Sequence, residues 1–101
     1  MISRIWRGVA KGERADDYVK HLQRETFPML TAMPGFIGAS ILRRSVDRGV
    51  EFLIITDWES LQSIQQFAGA GINRAVVPQK VVEMMIEFDH SVRHYDVIEK
   101  S

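Results

Sequence analysis

A chain of 101 residues, 46% of them hydrophobic and 26% charged, is long enough for one packed domain but too short for a catalytic module beside a separate binding module. Its 13 lysines and arginines balance 13 aspartates and glutamates, which argues against nucleic acid or a membrane as partner. Cysteine is absent, which excludes disulfides and metals held by thiolates. No apolar run has the length of a signal peptide or of a membrane span. We therefore expect a single domain over residues 1–101, in the cytoplasm.

The first third of the chain predicts a strand and a long helix. Residues 2–10 are rich in β-forming side chains and stop at a Lys-Gly pair, which indicates a first strand. From Ala15 to Met33, apolar side chains recur every three or four residues, which predicts an amphipathic helix. Pro28 lacks a backbone N–H, so we expect a kink or a break in the last part of this helix.

The middle of the chain predicts a hairpin followed by a second helix. Residues 36–46 and 51–58 are both rich in β-formers, and the Asp-Arg-Gly segment between them is typical of a turn that joins antiparallel strands. Ser60 is a suitable N-cap for a helix with an apolar stripe, and Gly69 is a suitable end for it.

The last quarter predicts a short helix and a final strand. Pro78 suits the first turn of a helical piece whose buried side would include Met85 and Phe88. Residues 92–98 alternate like a strand. The order β, α, β, β, α, short α, β fits an α+β fold of the ferredoxin-like βαββαβ type, with a four-stranded antiparallel sheet and the first and last strands as neighbours.

The strand from Phe52 to Trp58 predicts that the protein is a homodimer. Its side chains are apolar at consecutive positions, although successive side chains of a strand point to opposite faces of the sheet. Two helices and a short helical piece cover only one face of a four-stranded sheet. A second copy of the same sheet is the simplest cover for the other face.

Three segments carry a resemblance to a known family. Residues 33–39 (Met-Pro-Gly-Phe-Ile-Gly-Ala), 56–60 with Phe67 nine residues after Trp58, and 92–97 resemble the antibiotic biosynthesis monooxygenase family. The resemblance implies a dimeric α/β barrel. It also implies a cofactor-independent monooxygenase that uses molecular oxygen on a small aromatic substrate such as a phenol or hydroquinone, with no cofactor and no metal.

The same superfamily includes haem-degrading enzymes, and three positions argue against that activity here. Haem-degrading relatives use an Asn on the first strand, a Trp on the helix that follows the Trp-Glu-Ser segment and a His near the end of that helix. In this sequence the first strand has no Asn, Phe67 stands at the Trp position, and the expected His falls near Ala75 or Val76.

His94, Tyr95 and Arg43 are the candidate catalytic residues. A histidine near its ordinary pKa can take a proton from a phenolic substrate at neutral pH, and Tyr95 is its neighbour on the final strand. One strand arginine on a buried face could stabilise an enolate or peroxide anion; the strand arginines are Arg4, Arg7, Arg43 and Arg44. The alternative is that all these side chains only pack, hydrogen-bond or form ion pairs.

Trp6, Trp58 and Phe67 are the candidate walls of a substrate pocket, because small-molecule sites are mostly apolar. The alternative is that they are ordinary core residues. Pairing of the first and last strands would bring Trp6 close to His94. A non-catalytic dimer that binds a small apolar ligand is the competing functional class.

The remaining histidines have simpler interpretations. His21 lies four residues before Glu25 on the first helix, which indicates a surface ion pair. His90 and His94 are also four apart, but across a junction of loop and strand, where this spacing does not converge on a metal.

Overall fold

An antiparallel sheet with helices packed on one face forms the framework of the structure. The computed structural model describes residues 1–101. The strands are β1 (Ile2–Ala10), β2 (Phe36–Val46), β3 (Gly49–Trp58), β4 (Met85–Phe88) and β5 (Arg93–Asp96). Their order is β2-β3-β1, with β4 and β5 both on the remaining edge of β1. The predicted ferredoxin-like α+β fold is confirmed, and so are the β2–β3 hairpin and the neighbouring first and last strands.

The segment after Pro78 differs from the prediction. The helix there, α4, contains only Gln79–Val82, and Met85 and Phe88 belong to strand β4. The backbone explains the difference, because hydrogen bonds from Lys11 N to Met84 O and from Asp89 N to Arg7 O, both 2.9 Å, bind this segment to β1. The sheet therefore has five strands. Two of them share the edge of β1: β4 lies opposite residues 8–10 and β5 lies opposite residues 2–5.

The first helical region is continuous but changes type along its length. A 3₁₀ turn (Gly12–Arg14) leads into α1 (Ala15–His21), which continues as a π-helical segment (Leu22–Thr26) and then as α2 (Phe27–Thr31). Pro28 cannot donate to the carbonyl four residues before it, and the wider π turn ahead of it accommodates that missing bond. The expected disturbance is thus a π segment, and the helix does not break.

The next helix, α3 (Leu61–Ala68), begins and ends where the sequence predicts. The Ser60 hydroxyl caps it by accepting a hydrogen bond from Ser63 N at 3.2 Å. Gly69 ends it with φ of 74°, a conformation that favours glycine. None of the helices is long and apolar enough to cross a membrane.

Strand β3 is apolar on both faces, as its sequence suggests. Phe52, Ile54 and Trp58 are buried against the helices, on what we call the inner face of the sheet. Leu53 and Ile55 point to the opposite, outer face and remain partly exposed. The two hydrophobic core clusters of the chain thus lie on the inner face.

Candidate functional site

A cavity lies between the inner face of the sheet and the helices. Its volume is about 80 Å³, whereas most small-molecule sites measure roughly 300–1,000 Å³. The cavity is thus small, with room for a group such as a single aromatic ring. The apolar lining includes Trp6, Phe27, Leu30, Ile54, Phe67, Val76 and Val81. The polar lining consists of Arg4, Tyr18, His21, Thr26 and Thr56.

Arg4 brings a buried positive charge to this lining. Only 4% of the residue is exposed. Its Nη1 donates to Ile72 O at 2.5 Å and to His94 Nε2 at 2.9 Å, and its Nη2 donates to Arg74 O at 2.9 Å. The guanidinium also lies 5.5 Å from the centre of the Phe67 ring. All these partners are uncharged when His94 is neutral, and no carboxylate pairs with Arg4.

The Arg4 charge therefore has no counter-ion within the protein. Burial lowers the pKa of Arg4 from its ordinary value to about 10, so the side chain is still a cation at neutral pH. A buried charge without an opposite charge is unfavourable and is characteristic of binding sites. An anionic group of a ligand in the cavity would supply the missing charge.

His94 lies directly opposite Arg4 in the β1–β5 register. Its Nε2 accepts the bond from Arg4, so Nδ1 carries the proton of the neutral ring. Burial, and secondarily the charge of Arg4, lower the pKa of His94. His94 is not part of the cavity lining. The structure brings His94 within two residues of Trp6 along the paired strands, as predicted, but it directs the ring nitrogen to Arg4.

Of the three predicted aromatic walls, Trp6 and Phe67 line the cavity and Trp58 packs behind Phe67. Trp6 lies across Gly8, where an added Cβ would be 2.5 Å from the indole Cη2, and its Nε1 donates to Asp89 O at 2.9 Å. Phe67 stacks on Trp58 with ring centres 6.0 Å apart and planes at 20°. Trp58 itself is fully buried and does not line the cavity.

Tyr95 and Arg43 lie outside the cavity. Tyr95 is opposite Ser3 on the outer face of the sheet and is 49% exposed. Arg43 is on β2, where its Nη1 forms an ion pair with Asp16 Oδ1 at 2.9 Å. The structure thus gathers Trp6, Phe67 and His94 around Arg4, and leaves these two side chains elsewhere.

His21 is not the surface residue that its spacing to Glu25 suggests. The contact exists, with Nδ1 3.3 Å from Glu25 Oε2, but only 8% of His21 is exposed and the residue lines the cavity. Tyr18, one turn earlier, also lines it, and burial raises the pKa of its phenol, which stays neutral. Two signals in the sequence point to these positions: Arg4 shares a strand face with Trp6, and His21 follows Tyr18 by three helical residues.

No group of three or more His, Asp or Glu side chains is close enough to hold a metal ion. The donors that face the cavity are a guanidinium, an imidazole, a phenol and two hydroxyls. This set suits an aromatic ligand with an ionisable oxygen.

A family model and several solved structures match this chain. The family model described as "Antibiotic biosynthesis monooxygenase" matches residues 1–78. A search of curated protein sequences finds no match. A solved structure from Bacillus cereus, described as a candidate antibiotic biosynthesis monooxygenase, is 21% identical with a TM-score of 0.69, over 100% of this chain and 96% of that one.

Two solved structures of MhuD also match. A mutant with two manganese protoporphyrin IX molecules bound per active site is 20% identical with a TM-score of 0.70, over 100% of this chain and 98% of that one. The heme-degrader MhuD from Mycobacterium tuberculosis, with two hemes bound in its active site, is 18% identical with a TM-score of 0.62, over 100% of this chain and 99% of that one. At these identities the likeness shows a shared fold.

Proposed function

Since the chain belongs to the antibiotic biosynthesis monooxygenase family, we propose that it is a cofactor-independent monooxygenase that oxidises a small phenol or hydroquinone with molecular oxygen. The observation that supports this best is the buried Arg4 guanidinium, which has no counter-ion and lines an apolar cavity of about 80 Å³. A single-ring phenolate matches both the size of the cavity and the missing negative charge.

In the proposed reaction Arg4 stabilises the substrate as its anion. A phenolate gives up electrons more readily than the neutral phenol, and apolar walls keep water away from it. A phenol with a free para position would become a quinone: one atom of the oxygen molecule enters the ring, the other leaves as water, and all the electrons come from the substrate. No other redox group is needed for this balance.

The protein residues have separate roles in this proposal. Arg4 holds the anion, and His94 holds Arg4 by accepting its Nη1 hydrogen bond. Trp6 and Phe67 provide flat walls for the ring. Tyr95 and Arg43 have no role in it, because neither lines the cavity.

We also propose that the protein is a homodimer, which would cover the outer face of the sheet, and that it is cytoplasmic. Family members are typically dimeric. Leu42 on β2 and Leu53 and Ile55 on β3 lie on the outer face, and all three are at least partly exposed in a single copy. An apolar sheet face of this kind is normally covered.

A non-catalytic protein that binds a small aromatic ligand would use the same cavity and the same arginine. Oxygen consumption separates the two functions. Single-ring phenols and hydroquinones should be tested for binding and, in an oxygen electrode, for uptake above the rate of their spontaneous oxidation. Saturable oxygen uptake supports the oxygenase. Binding without uptake supports the ligand-binding protein, and the absence of both contradicts the assignment of the cavity.

A further inference from the structure

The His21 imidazole presents a free ring nitrogen beside the cavity. Its hydrogen bond joins Nδ1 to Glu25 Oε2 at 3.3 Å, and Nε2 has no partner in the protein. No buried side-chain nitrogen or oxygen of the structure lacks a hydrogen-bond partner, so the unpartnered Nε2 is an accessible atom. Because His21 lines the cavity and is otherwise buried, a ligand in the cavity is placed to reach this atom.

Glu25 fixes the chemical state of that nitrogen. Its Oε2 also accepts a hydrogen bond from Lys80 Nζ at 2.8 Å, and this bond is the main cause that lowers the pKa of Glu25. The carboxylate is therefore ionised at neutral pH. A carboxylate on Nδ1 favours the tautomer with the proton on Nδ1, leaves Nε2 as an acceptor, and stabilises the imidazolium after it takes a proton.

The other polar groups of the lining cannot take a proton at neutral pH. Arg4 is a cation and Tyr18 is a neutral phenol whose pKa burial raises. Thr56 already accepts a hydrogen bond from Trp58 Nε1, and the hydroxyls of Thr26 and Thr56 are not bases in this pH range. The charged or titratable groups that bear on His21 are thus Glu25, Lys80 through Glu25, and Arg4 and Tyr18 in the same lining.

We propose that His21 is the catalytic base, which takes the proton from a hydroxyl group of the bound phenol or hydroquinone. The O–H bond breaks, the proton goes to Nε2, and the electron pair stays on the oxygen, from which it spreads over the ring within the field of Arg4. Glu25 acts as a positioning residue, because it touches only the imidazole. This inference rests on the proposed binding of a phenol in the cavity.

A count of protons exchanged on binding tests the inference without a known substrate. The probe is 4-cyanophenol, a single-ring phenol that is mostly neutral at about pH 7 and whose anion has its own ultraviolet absorption. Calorimetric titrations in buffers with different heats of ionisation give the number of protons released to solvent. The wild type should bind the probe as its anion and release almost no protons to the solvent, because His21 keeps the proton that leaves the phenol.

The His21→Gln variant should behave differently in one of two ways. If Arg4 alone still ionises the probe, about one proton per ligand is released to the buffer. If it does not, the anion absorption of the complex is lost. Either result supports His21 as the acceptor. The same anion absorption and the same proton count in the variant as in the wild type would overturn the inference.

Two further variants control the experiment. Glu25→Gln keeps an acceptor near Nδ1 but removes the negative charge. Because Glu25 is exposed, the variant should fold. The fraction of the bound probe that is ionised should fall by up to about fivefold. An unchanged anion fraction in this variant would overturn the positioning role of Glu25. His90→Gln changes an exposed histidine outside this cavity and should match the wild type, and a change there would overturn the assignment to His21.

The wild type alone separates the two levels of the proposal. If it binds 4-cyanophenol in the neutral form, the inference about His21 fails while the cavity remains a phenol site. If it does not bind the probe at all, the proposed phenol site fails and the inference fails with it.

Discussion

Replacing Arg4 by methionine distinguishes a functional charge from a structural one. The variant loses three hydrogen bonds to Ile72 O, Arg74 O and His94 Nε2, which lowers the free energy of unfolding by roughly 3 kcal/mol at about 1 kcal/mol each. It also removes a buried charge. Burial lowers the pKa of Arg4 from its ordinary value to about 10, which corresponds to a cost of about 3 kcal/mol for holding the charge in the folded state.

The pKa of this basic group is lowered in the folded state, so its unfavourable contribution is present in full below about pH 10 and declines only as the pH rises from there toward the ordinary pKa of arginine. At neutral pH the two terms therefore oppose each other. We expect Arg4→Met to change the free energy of unfolding by no more than about 1 kcal/mol, measured by urea or thermal denaturation.

Ligand binding should respond much more strongly than stability. Removing one positioned hydrogen-bond donor beside a developing anion typically reduces the stabilisation of that anion by a factor of roughly 10²–10³. The affinity of Arg4→Met for 4-cyanophenol as its anion should therefore fall by that factor. Benzonitrile, which has the same ring and no ionisable oxygen, should bind both proteins equally. Arg43→Met is the matched control, because Arg43 is an exposed arginine paired with Asp16 outside the cavity.

A different pattern would refute this reasoning. A loss of several kcal/mol in stability with unchanged preference for the phenol over benzonitrile would make Arg4 a structural residue only. A loss of phenol binding in Arg43→Met but not in Arg4→Met would move the anion site to β2.

The other predictions concern the dimer, pH and haem. In sedimentation experiments the protein should have a mass near twice the 11.6 kDa of one chain. Leu53→Asp or Ile55→Asp should weaken the dimer, whereas Leu61→Asp on the helical side should not. A stable wild-type monomer would contradict the proposal. Because burial and the Arg4 charge lower the pKa of His94 from 6.5, the free energy of unfolding should fall as the pH drops below about 6.5. This loss of stability should be smaller in His94→Gln. If the melting temperatures of the wild type and of His94→Gln depended on pH in the same way, this prediction would be refuted. Added haem should not show histidine-ligated iron and should not be degraded with a reductant, since the position expected for the His of the haem-degrading relatives falls near Ala75 or Val76. Observing both would contradict this interpretation.

Local signals predicted most of the fold, and one long-range pairing was missed. The β2–β3 hairpin and the Ser60 cap depend on residues close together in the chain, and the sequence shows them directly. Strand β4 has only four residues, too few to establish a period, and its conformation depends on pairing with β1, where Gly8 lies opposite Phe88. A pairing over such a distance in sequence leaves no local pattern.

The site was predicted in part for the same reason. Trp6 and Phe67 were recognisable as large aromatic side chains, but the choice between Arg4 and Arg43 depends on which arginine meets an acidic partner in three dimensions, and only Arg43 does. His21 was assigned to the surface because of its spacing to Glu25. Its other spacing, three residues after the buried Tyr18 in the regular helix α1, places it on the inner side, and the two spacings could be weighed only once the burial of Tyr18 was known.

Isotopic labelling of the product tests the central claim most directly. The wild-type protein should be incubated with a turned-over phenol under isotopically labelled oxygen gas, and the quinone analysed by mass spectrometry with Arg4→Met and Arg43→Met in parallel. We predict that the wild type and Arg43→Met place one labelled oxygen atom in each product molecule, and that Arg4→Met forms little product. Product oxygen derived from water, or labelled product formed equally by Arg4→Met, would contradict an oxygenase that works through the anion at Arg4.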